Sequence, residues 1–535
     1  MKKIYILSSL AMAAGLTSCY DLDTQPMSSV VTEEQRSEII ESDPSKIDAL
    51  ASGIYGNYNG WQLTYAGNQD FGLPAIMVQL ECRTADYFSI NVDLYGWFSA
   101  CAEYLDNVSN SSYGMSRWRL PYNTIYSCNQ ILSTIDAETT DNTLKYYRAQ
   151  AYGNRAFSYW SLAQIFQFNY VGHQNDPCVL LITEENSDEV AANGAPRATV
   201  QEIYDQILSD LNTGIELMTN NPAAVRSDKR YLDLSVMYGL RARTYLCMQE
   251  YAKAASDAQT VINMGTARPL SAYDAMLPGY NDLSASNWLW GVFMSTETTH
   301  GLYTLAGFTG SYTYGYAYVG MWKAINSNLW AQIPADDCRK LWWINPETRE
   351  SNAMYYTAAD GNAAAYLDEV GAPSYAVVKF APFQNVLNQS QNESDVPIMR
   401  IEEMYLILAE AQGMGGNLAE GKATLENFVN NYRMLNGATY TCSANSPSEF
   451  LDEVWFQRRV ELWGEGMAYY DLLRLNKPVD RTNSNWEDPQ YLMDTYAFYI
   501  PAGDPVLLSQ IPYTVIDNNP MLSAKDQNPT GQASL

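Results

Sequence analysis

Ten charged residues in the last third of the chain are the first candidates for chemistry: Glu402, Glu403, Glu410, Glu461, Glu465 and Asp471, with Arg400, Arg458, Arg459 and Arg474. Two carboxylates facing one glycosidic bond are what sugar hydrolysis requires, one acting as acid and the other as base or nucleophile. These carboxylates instead fall inside helical patterns and alternate with opposite charges, which is how ion pairs fix one helix against another. The structural reading outweighs catalysis. Asp336-Asp337 is a second adjacent pair, and neighbouring side chains rarely face one site together, so it reads as a turn or a structural pair. The two histidines, His173 and His300, have no second His or Cys at metal-ligand spacing. Zinc and imidazole acid–base chemistry therefore have little to work with, and neither a metal nor a cofactor is expected.

Aromatic residues offer different chemistry. A pyranose ring presents an apolar face that stacks on Trp or Tyr and hydroxyl edges that need amide, carboxylate or guanidinium partners. The chain holds 41 Tyr, 14 Phe and 13 Trp. Tyr312, Tyr314, Tyr316 and Tyr318 alternate with other residues and lead to Trp322. In an extended segment that alternation places the four tyrosines on one side, although a half-buried strand has the same pattern. Trp322, ahead of a predicted helix, is the leading stacking residue, and Trp97 is a second; Trp61, Asn68 and Asp70 are weaker candidates. Trp288, Trp290, Trp342 and Trp343 come as apolar-flanked pairs and read as core.

Helices must position these residues. Ala149, Tyr152, Ala156, Tyr159, Ala163 and Phe166 alternate spacings of three and four, which lines one helix face. Thr199-Val200-Gln201-Glu202 is a capping box, followed by the apolar face Ile203, Ile207, Leu211, Ile215 and Met218. Further helical stretches are predicted near 233–264, 396–432 and 447–475. Tyr238, Ala242, Tyr245, Tyr251, Ala254, Ala258 and Val261 fall at the offsets of a tetratricopeptide helix pair. Part of the pattern recurs at Tyr152, Ala156 and Tyr159, and again at Tyr405 and Ala409 with Leu418, Gly421, Leu425 and Phe428. The small residues let backbones approach while aromatics fill the groove. The fold class is thus mainly α, a scaffold of tetratricopeptide-like hairpins over 120–265 and 396–475. Residues 56–118 and 268–395 are rich in Gly, Asn, Ser, Tyr and Trp without a helical period and read as long ligand-binding insertions.

The ends and the composition set the setting. Lys2 and Lys3 precede an apolar run from Ile4 to Leu16, and Leu16-Thr17-Ser18-Cys19 follows. Residues 1–18 read as a signal peptide, too short in its apolar part to span a bilayer. Cys19 resembles the lipobox cysteine of bacterial lipoproteins, which carries the lipid. The remaining 19–535 is read as one domain. A formal charge of −28 repels phosphate backbones, so no nucleic-acid partner is expected. Seven further cysteines, an odd number spread over tens of residues, read mainly as small core hydrophobes.

Several segments together resemble the SusD/RagB family, surface lipoproteins that deliver nutrients to TonB-dependent outer-membrane transporters in Bacteroidetes. The resemblance begins at Cys19-Tyr20-Asp21-Leu22-Asp23-Thr24-Gln25-Pro26 and continues through Arg148-Ala149-Gln150-Ala151-Tyr152 and Arg197-Ala198-Thr199. Its most specific parts are Pro397-Ile398-Met399-Arg400-Ile401-Glu402-Glu403 with Ala409-Glu410-Ala411, and Arg458-Arg459-Val460-Glu461-Leu462 with Glu465-Gly466 and Asp471-Leu472-Leu473-Arg474. The departures are Gln457 for a usual Glu, Ala468 where an Arg is common, and Cys338 within an Asp-Pro-Arg pattern. The resemblance implies a lipid-anchored, surface-exposed outer-membrane protein that binds oligosaccharides without converting them. It would hand them to a SusC-like transporter facing the tetratricopeptide side. It also implies that Arg83, Asp86 and Tyr87 form a polar recognition segment, and that 303–322 carries binding aromatics. A peptide-binding member, a lipoprotein glycosidase and a protein-only scaffold are the competing readings.

Overall fold

Asp141 starts the helix Asn142–Phe166 by accepting the Leu144 amide at 2.9 Å, and the small residues predicted for its face let neighbours close in on both sides. In the computed structural model this helix lies between Ser112–Thr134 and Val200–Met218. The structure describes residues 33–89, 97–299, 301–311, 315–317, 321–355, 363–387, 390, 392–488 and 496–529. Two compact units divide the chain, Met1–Lys46 and Ile47–Leu535. The described part of the first contains the helix Glu33–Ser42, and every other element discussed belongs to the second.

Seven helices of the second unit pack each on the next in chain order: Ser112–Thr134, Asn142–Phe166, Val200–Met218, Leu234–Cys247, Tyr251–Met264, Ile401–Met414 and Leu418–Tyr432. This is the predicted row of hairpins. The capping box at Thr199 is complete, since Thr199 Oγ1 accepts the Glu202 amide at 3.2 Å and the Thr199 amide reaches Glu202 Oε2 at 2.7 Å. The long second insertion leaves the row after Met264 and re-enters through the strand Val396–Arg400, which pairs antiparallel with Trp288–Val292 and runs directly into the helix Ile401–Met414. Tyr87–Ser89 pairs antiparallel with Lys323–Ile325, so one short ladder ties the two insertions together.

Three local expectations are corrected. The first insertion contains a helix, Leu73–Cys82, that has no polar period because all ten of its residues are buried. The scaffold helix begins at Ser112, earlier than predicted, and carries Pro121 in its interior. Trp322 precedes the strand Lys323–Ile325, with the helix starting only at Ser327. Trp288, Trp290, Trp342 and Trp343 are fully buried, as their spacing predicts. All seven described cysteines are free, buried thiols. No helix among the described residues is long and apolar enough to cross a membrane.

Backbones touch where the repeat pattern places glycine. A Cβ on Gly421 would lie 2.6 Å from the Gly413 nitrogen and 2.8 Å from the Ala409 carbonyl oxygen, which are backbone atoms that cannot swing aside. Beneath the crossing lie Leu406, Leu425, Phe428, Phe450 and Val454, all fully buried. Gly421→Ala is therefore expected to lower stability by about 2–3 kcal/mol, the cost of overpacking a closed crossing, despite the better helix propensity of alanine. A urea midpoint equal to that of the wild type would show that the two helices can separate without loss.

Candidate functional site

The charged residues with the strongest claim to chemistry are locked to one another. Arg400 donates through Nε to Glu465 at 2.8 Å and through Nη1 to Glu461 at 3.1 Å, with Glu402 also at 3.1 Å. Arg433 reaches both oxygens of Glu461 at 2.7 Å. Arg339 pairs with Asp337 at 2.6 Å, and Lys379 with Glu465 at 2.6 Å. Four cations and four carboxylates thus balance in the core. Burial alone would raise the Glu461 carboxyl, but Arg433, Arg400 and Arg339 outweigh it and hold it well below the usual carboxylate range. Burial brings the Lys379 ammonium down to about 8. A second group joins Arg458 to Asp471 at 2.6 Å, Arg474 to Asp471 at 2.7 Å and to Glu410 at 2.8 Å, and Arg243 to Glu403 at 2.6 Å. The departures from the family pattern leave this pairing intact: Gln457 accepts from Arg339 at 2.6 Å through its amide oxygen, and Asp337 holds Arg339 beside a buried Cys338. Register between helices is what these residues secure.

The polar segment implied by resemblance is also interior. Arg83 is buried against Asp106 at 2.7 Å and donates to the Val506 and Leu507 carbonyls. Asp86 is buried and accepts from Arg459 Nε at 2.7 Å. The Tyr87 hydroxyl meets Thr309 Oγ1 at 2.6 Å, and its ring stacks on Trp463 with centroids 4.8 Å apart. Trp322 is only 5% exposed. Asp70 is a loop clasp, since its Oδ2 accepts from the Thr64 amide at 2.7 Å, the Thr64 hydroxyl at 2.9 Å and the Tyr65 amide at 2.9 Å. Arg83, Tyr87, Trp322 and Asp70 are thus buried in the interior, while Asp86, buried and paired, borders a cavity of about 220 Å³ together with Trp455 and Arg459. Each was placed by type and position along the chain, and burial is a property of the tertiary contacts.

Beside Asp86 stands Glu81, which accepts the Gly466 amide at 2.8 Å. Burial first, then the charge of Asp86, pushes its carboxyl up to about 8. A carboxyl raised in the folded state binds its proton more tightly there than in the unfolded chain, so stability falls as pH rises from about 4.5 towards 8. Glu81→Gln keeps the acceptor for Gly466 and removes the titration. Urea midpoints at pH 5 and pH 8 are expected to lie closer together in this variant than in the wild type; an unchanged difference would place the pH dependence elsewhere.

Aromatic residues on the loops do converge. Trp61 and Tyr303 lie nearly parallel, 11° apart with centroids at 6.1 Å, and Tyr303 continues onto Tyr316 at 5.7 Å and 24°. Trp97 stands edge-on to Tyr316 at 4.1 Å and to Tyr303 at 6.3 Å. All four are half-buried. Beneath them is a fully buried tier: Phe308 stacks on Phe71 at 5.3 Å and meets Phe98 edge-on at 5.1 Å, while Tyr316 and Trp97 rest on Phe308 at 5.1 and 5.8 Å. An upper tier of half-buried rings resting on a buried one is a cluster of the residue types that stack on the apolar faces of sugars.

Local backbone chemistry fixes each ring. The Asp70 clasp closes the loop that carries Trp61 and a half-buried Asn68. Thr304 caps the short helix Leu305–Thr309 by accepting the Gly307 amide at 3.0 Å, which sets Tyr303 at its entrance and Phe308 within it. The Ala317 amide donates to the Gly307 carbonyl at 3.0 Å. A Cβ on Gly315 would lie 2.5 Å from the Gly307 Cα, so only glycine permits this approach, which delivers Tyr316 to Phe308. Residues 315–317 form a turn, so the extended alternation predicted for the tyrosine run does not hold at Tyr316. Tyr312, Tyr314 and Tyr318 lie outside the described residues. Of the residues predicted for ligand binding, Trp97 and Tyr316 meet in this surface. Trp61 is one of the three weaker candidates, and Tyr303 has no periodic signal of its own; its position before a Thr cap is the mark that singles it out.

A row of helical hairpins that carries an aromatic surface on inserted loops, with its carboxylates paired in the core, defines a helical-repeat protein whose distinctive chemistry lies in its loops. Residues 34–246 match a SusD-like family model described as starch-binding and associating with the outer membrane, and residues 284–530 match the model of the SusD family. The chain belongs to the SusD family. Two SusD-like proteins of Formosa agariphila are each 24% identical to it, one over 68% of this chain and 73% of its own length, the other over 75% and 79%. A SusD-like carbohydrate binding protein of Bacteroides vulgatus has the same fold, with a TM-score of 0.72 at 21% identity over 92% of this chain and 99% of that one. A SusD superfamily protein of Bacteroides thetaiotaomicron gives 0.68 at 21% identity over 91% and 99%.

Proposed function

We propose that this protein is a lipid-anchored outer-membrane surface protein that binds oligosaccharides on the ring surface of Trp61, Trp97, Tyr303 and Tyr316, without converting them, and passes them to a SusC-like TonB-dependent transporter. The two-tier aromatic cluster carries the reading: half-buried rings supported from below suit the apolar faces of sugar rings. The family description as starch-binding and outer-membrane associated supports the ligand class and the location. Cys19 behind the apolar leader is the residue that would carry the lipid. Pairing of Glu402, Glu403, Glu410, Glu461, Glu465 and Asp471 with buried cations favours binding over hydrolysis.

Calorimetric titration of the purified protein against malto-, cello-, xylo- and manno-oligosaccharides and a mixed peptide digest tests this. Heat from at least one sugar series, lost in Tyr303→Ala and without release of shorter sugars, is the expected result. Heat from the peptide digest alone would move the protein to peptide uptake, and cleavage of a sugar would make it a glycosidase. Silence towards both ligand classes, with co-purification of an outer-membrane barrel, would leave a protein-only scaffold.

A further inference from the structure

A cavity of about 210 Å³ is lined by none of the rings of Trp61, Trp97, Tyr303 and Tyr316. Ser52, Gly56 and Asn59 of the helix Asp48–Asn59 line it, together with Arg230, Tyr231 and Phe293. The segments that form it are those that go on to carry the rings. Asn59 precedes Trp61 by two residues, which places their Cα atoms within about 7.6 Å, and Thr298, also in the lining, precedes Tyr303 by five.

Its chemistry suits an uncharged sugar ring. The Arg230 guanidinium lies 4.7 Å over the ring of Phe293, which is 37% exposed. Arg230 also pairs with Asp228 through Nε at 3.0 Å and Nη2 at 2.7 Å. Pairing cancels the charge of Arg230, so the cavity has no preference for an anion, and the guanidinium stands in the lining as a hydrogen-bond donor for a sugar hydroxyl. Tyr231 and Phe293 supply the apolar surface. Asn59 Nδ2 donates to the Phe293 carbonyl at 2.9 Å and holds the two walls together.

Gly56 lies on the cavity wall. Glycine inside a helix costs about 1 kcal/mol relative to alanine, and a Cβ there would meet nothing within 4 Å. Gly53 of the same helix is equally open but lies outside the lining, so Gly56 is the position from which an added side chain enters the cavity.

We propose that this cavity is a second subsite, which takes a neutral sugar ring of the same oligosaccharide whose other rings stack on Trp61 and Tyr303. The assignment rests on the glycan-binding reading and extends it to a length requirement. Short oligosaccharides reach only the aromatic surface, and longer ones reach both.

Gly56→Tyr fills the cavity while its Cβ enters open space, and Phe293→Ala removes one wall. Each is titrated calorimetrically, with the wild type and Tyr303→Ala, against malto-, cello-, xylo- and manno-oligosaccharides of two to seven rings. For the series that binds, wild-type affinity is expected to rise tenfold or more from the shortest to the longest member. Gly56→Tyr is expected to flatten that rise at an unchanged unfolding midpoint, and Phe293→Ala to reduce it. Gly56→Tyr with the full wild-type rise would overturn the subsite, and Tyr303→Ala still losing affinity would then leave the aromatic reading standing. Loss in Gly56→Tyr with none in Tyr303→Ala would overturn the aromatic reading and keep the cavity as the site. No binding by any series, or binding of peptides that Gly56→Tyr weakens, would overturn the sugar assignment in both places.

Discussion

Glu461→Ala is expected to destabilise the protein by about 5 kcal/mol, at the upper end of what removing one partner from a buried ion pair costs. The reason is the number of cations that lose a partner at once. Arg433 donates to both Glu461 oxygens at 2.7 Å, Arg400 to one at 3.1 Å and Arg339 to the other at 3.3 Å, and all four residues are essentially without solvent contact. Asp337, Glu402 and Glu465 remain, so the centre is left with three carboxylates against Arg339, Lys379, Arg400 and Arg433. Glu461→Gln keeps one acceptor oxygen and loses the charge, so it should fall between. Arg459→Ala is the contrasting case. Its guanidinium side chain is 18% exposed, so Asp86 could recover solvent contacts and the loss should be smaller. Urea unfolding at pH 7 ranks the three. The sign with pH follows from the lowered Glu461 carboxyl: its contribution is complete above the unfolded value near 4.5 and is lost as pH falls towards the folded one. Equal midpoints for Glu461→Ala and Arg459→Ala would mean that the centre is not held by this residue.

The second large effect separates binding from folding. Tyr303→Ala is expected to weaken oligosaccharide binding by 10–100-fold, about 1.4–2.8 kcal/mol, the range of a central aromatic contact. Tyr303 is central because its ring meets Trp61, Trp97 and Tyr316. Tyr303→Phe retains the ring and should remain close to the wild type. Trp322→Ala is expected to act through the core, with about 3–5 kcal/mol of lost stability and unchanged affinity in the folded fraction, because Trp322 is buried. Titration and unfolding of the same three proteins decide between these roles. Lost affinity in Trp322→Ala at an unchanged midpoint would return that residue to the ligand, and Tyr303→Ala with wild-type affinity would remove the ring surface from the site.

By itself the sequence determined whatever depends on neighbours along the chain. The small and aromatic spacing at Ala149, Tyr152, Ala156 and Tyr159, the capping box at Thr199 and the repeated pattern from Tyr238 to Val261 are local codes, and each became a helix or a cap where predicted. The alternation of charges from Arg400 to Arg474 was enough to favour ion pairing over catalysis. Helix Leu73–Cys82 escaped because burial on every side erases the polar face by which a helix is recognised. The site was decided only in three dimensions. Arg83, Asp86, Tyr87 and Trp322 have side chains suited to a ligand, yet Asp106, Arg459, Thr309 and the core claim them. Tyr303 has no periodic pattern, yet the ladder between Tyr87–Ser89 and Lys323–Ile325 and the close approach of Gly307 and Gly315 belong to the folding that sets its ring among those of Trp61, Trp97 and Tyr316. A helix is written in spacings of three and four, whereas a surface assembled from residues 61, 97, 303 and 316 has no period to read and exists only once the insertions are folded against each other.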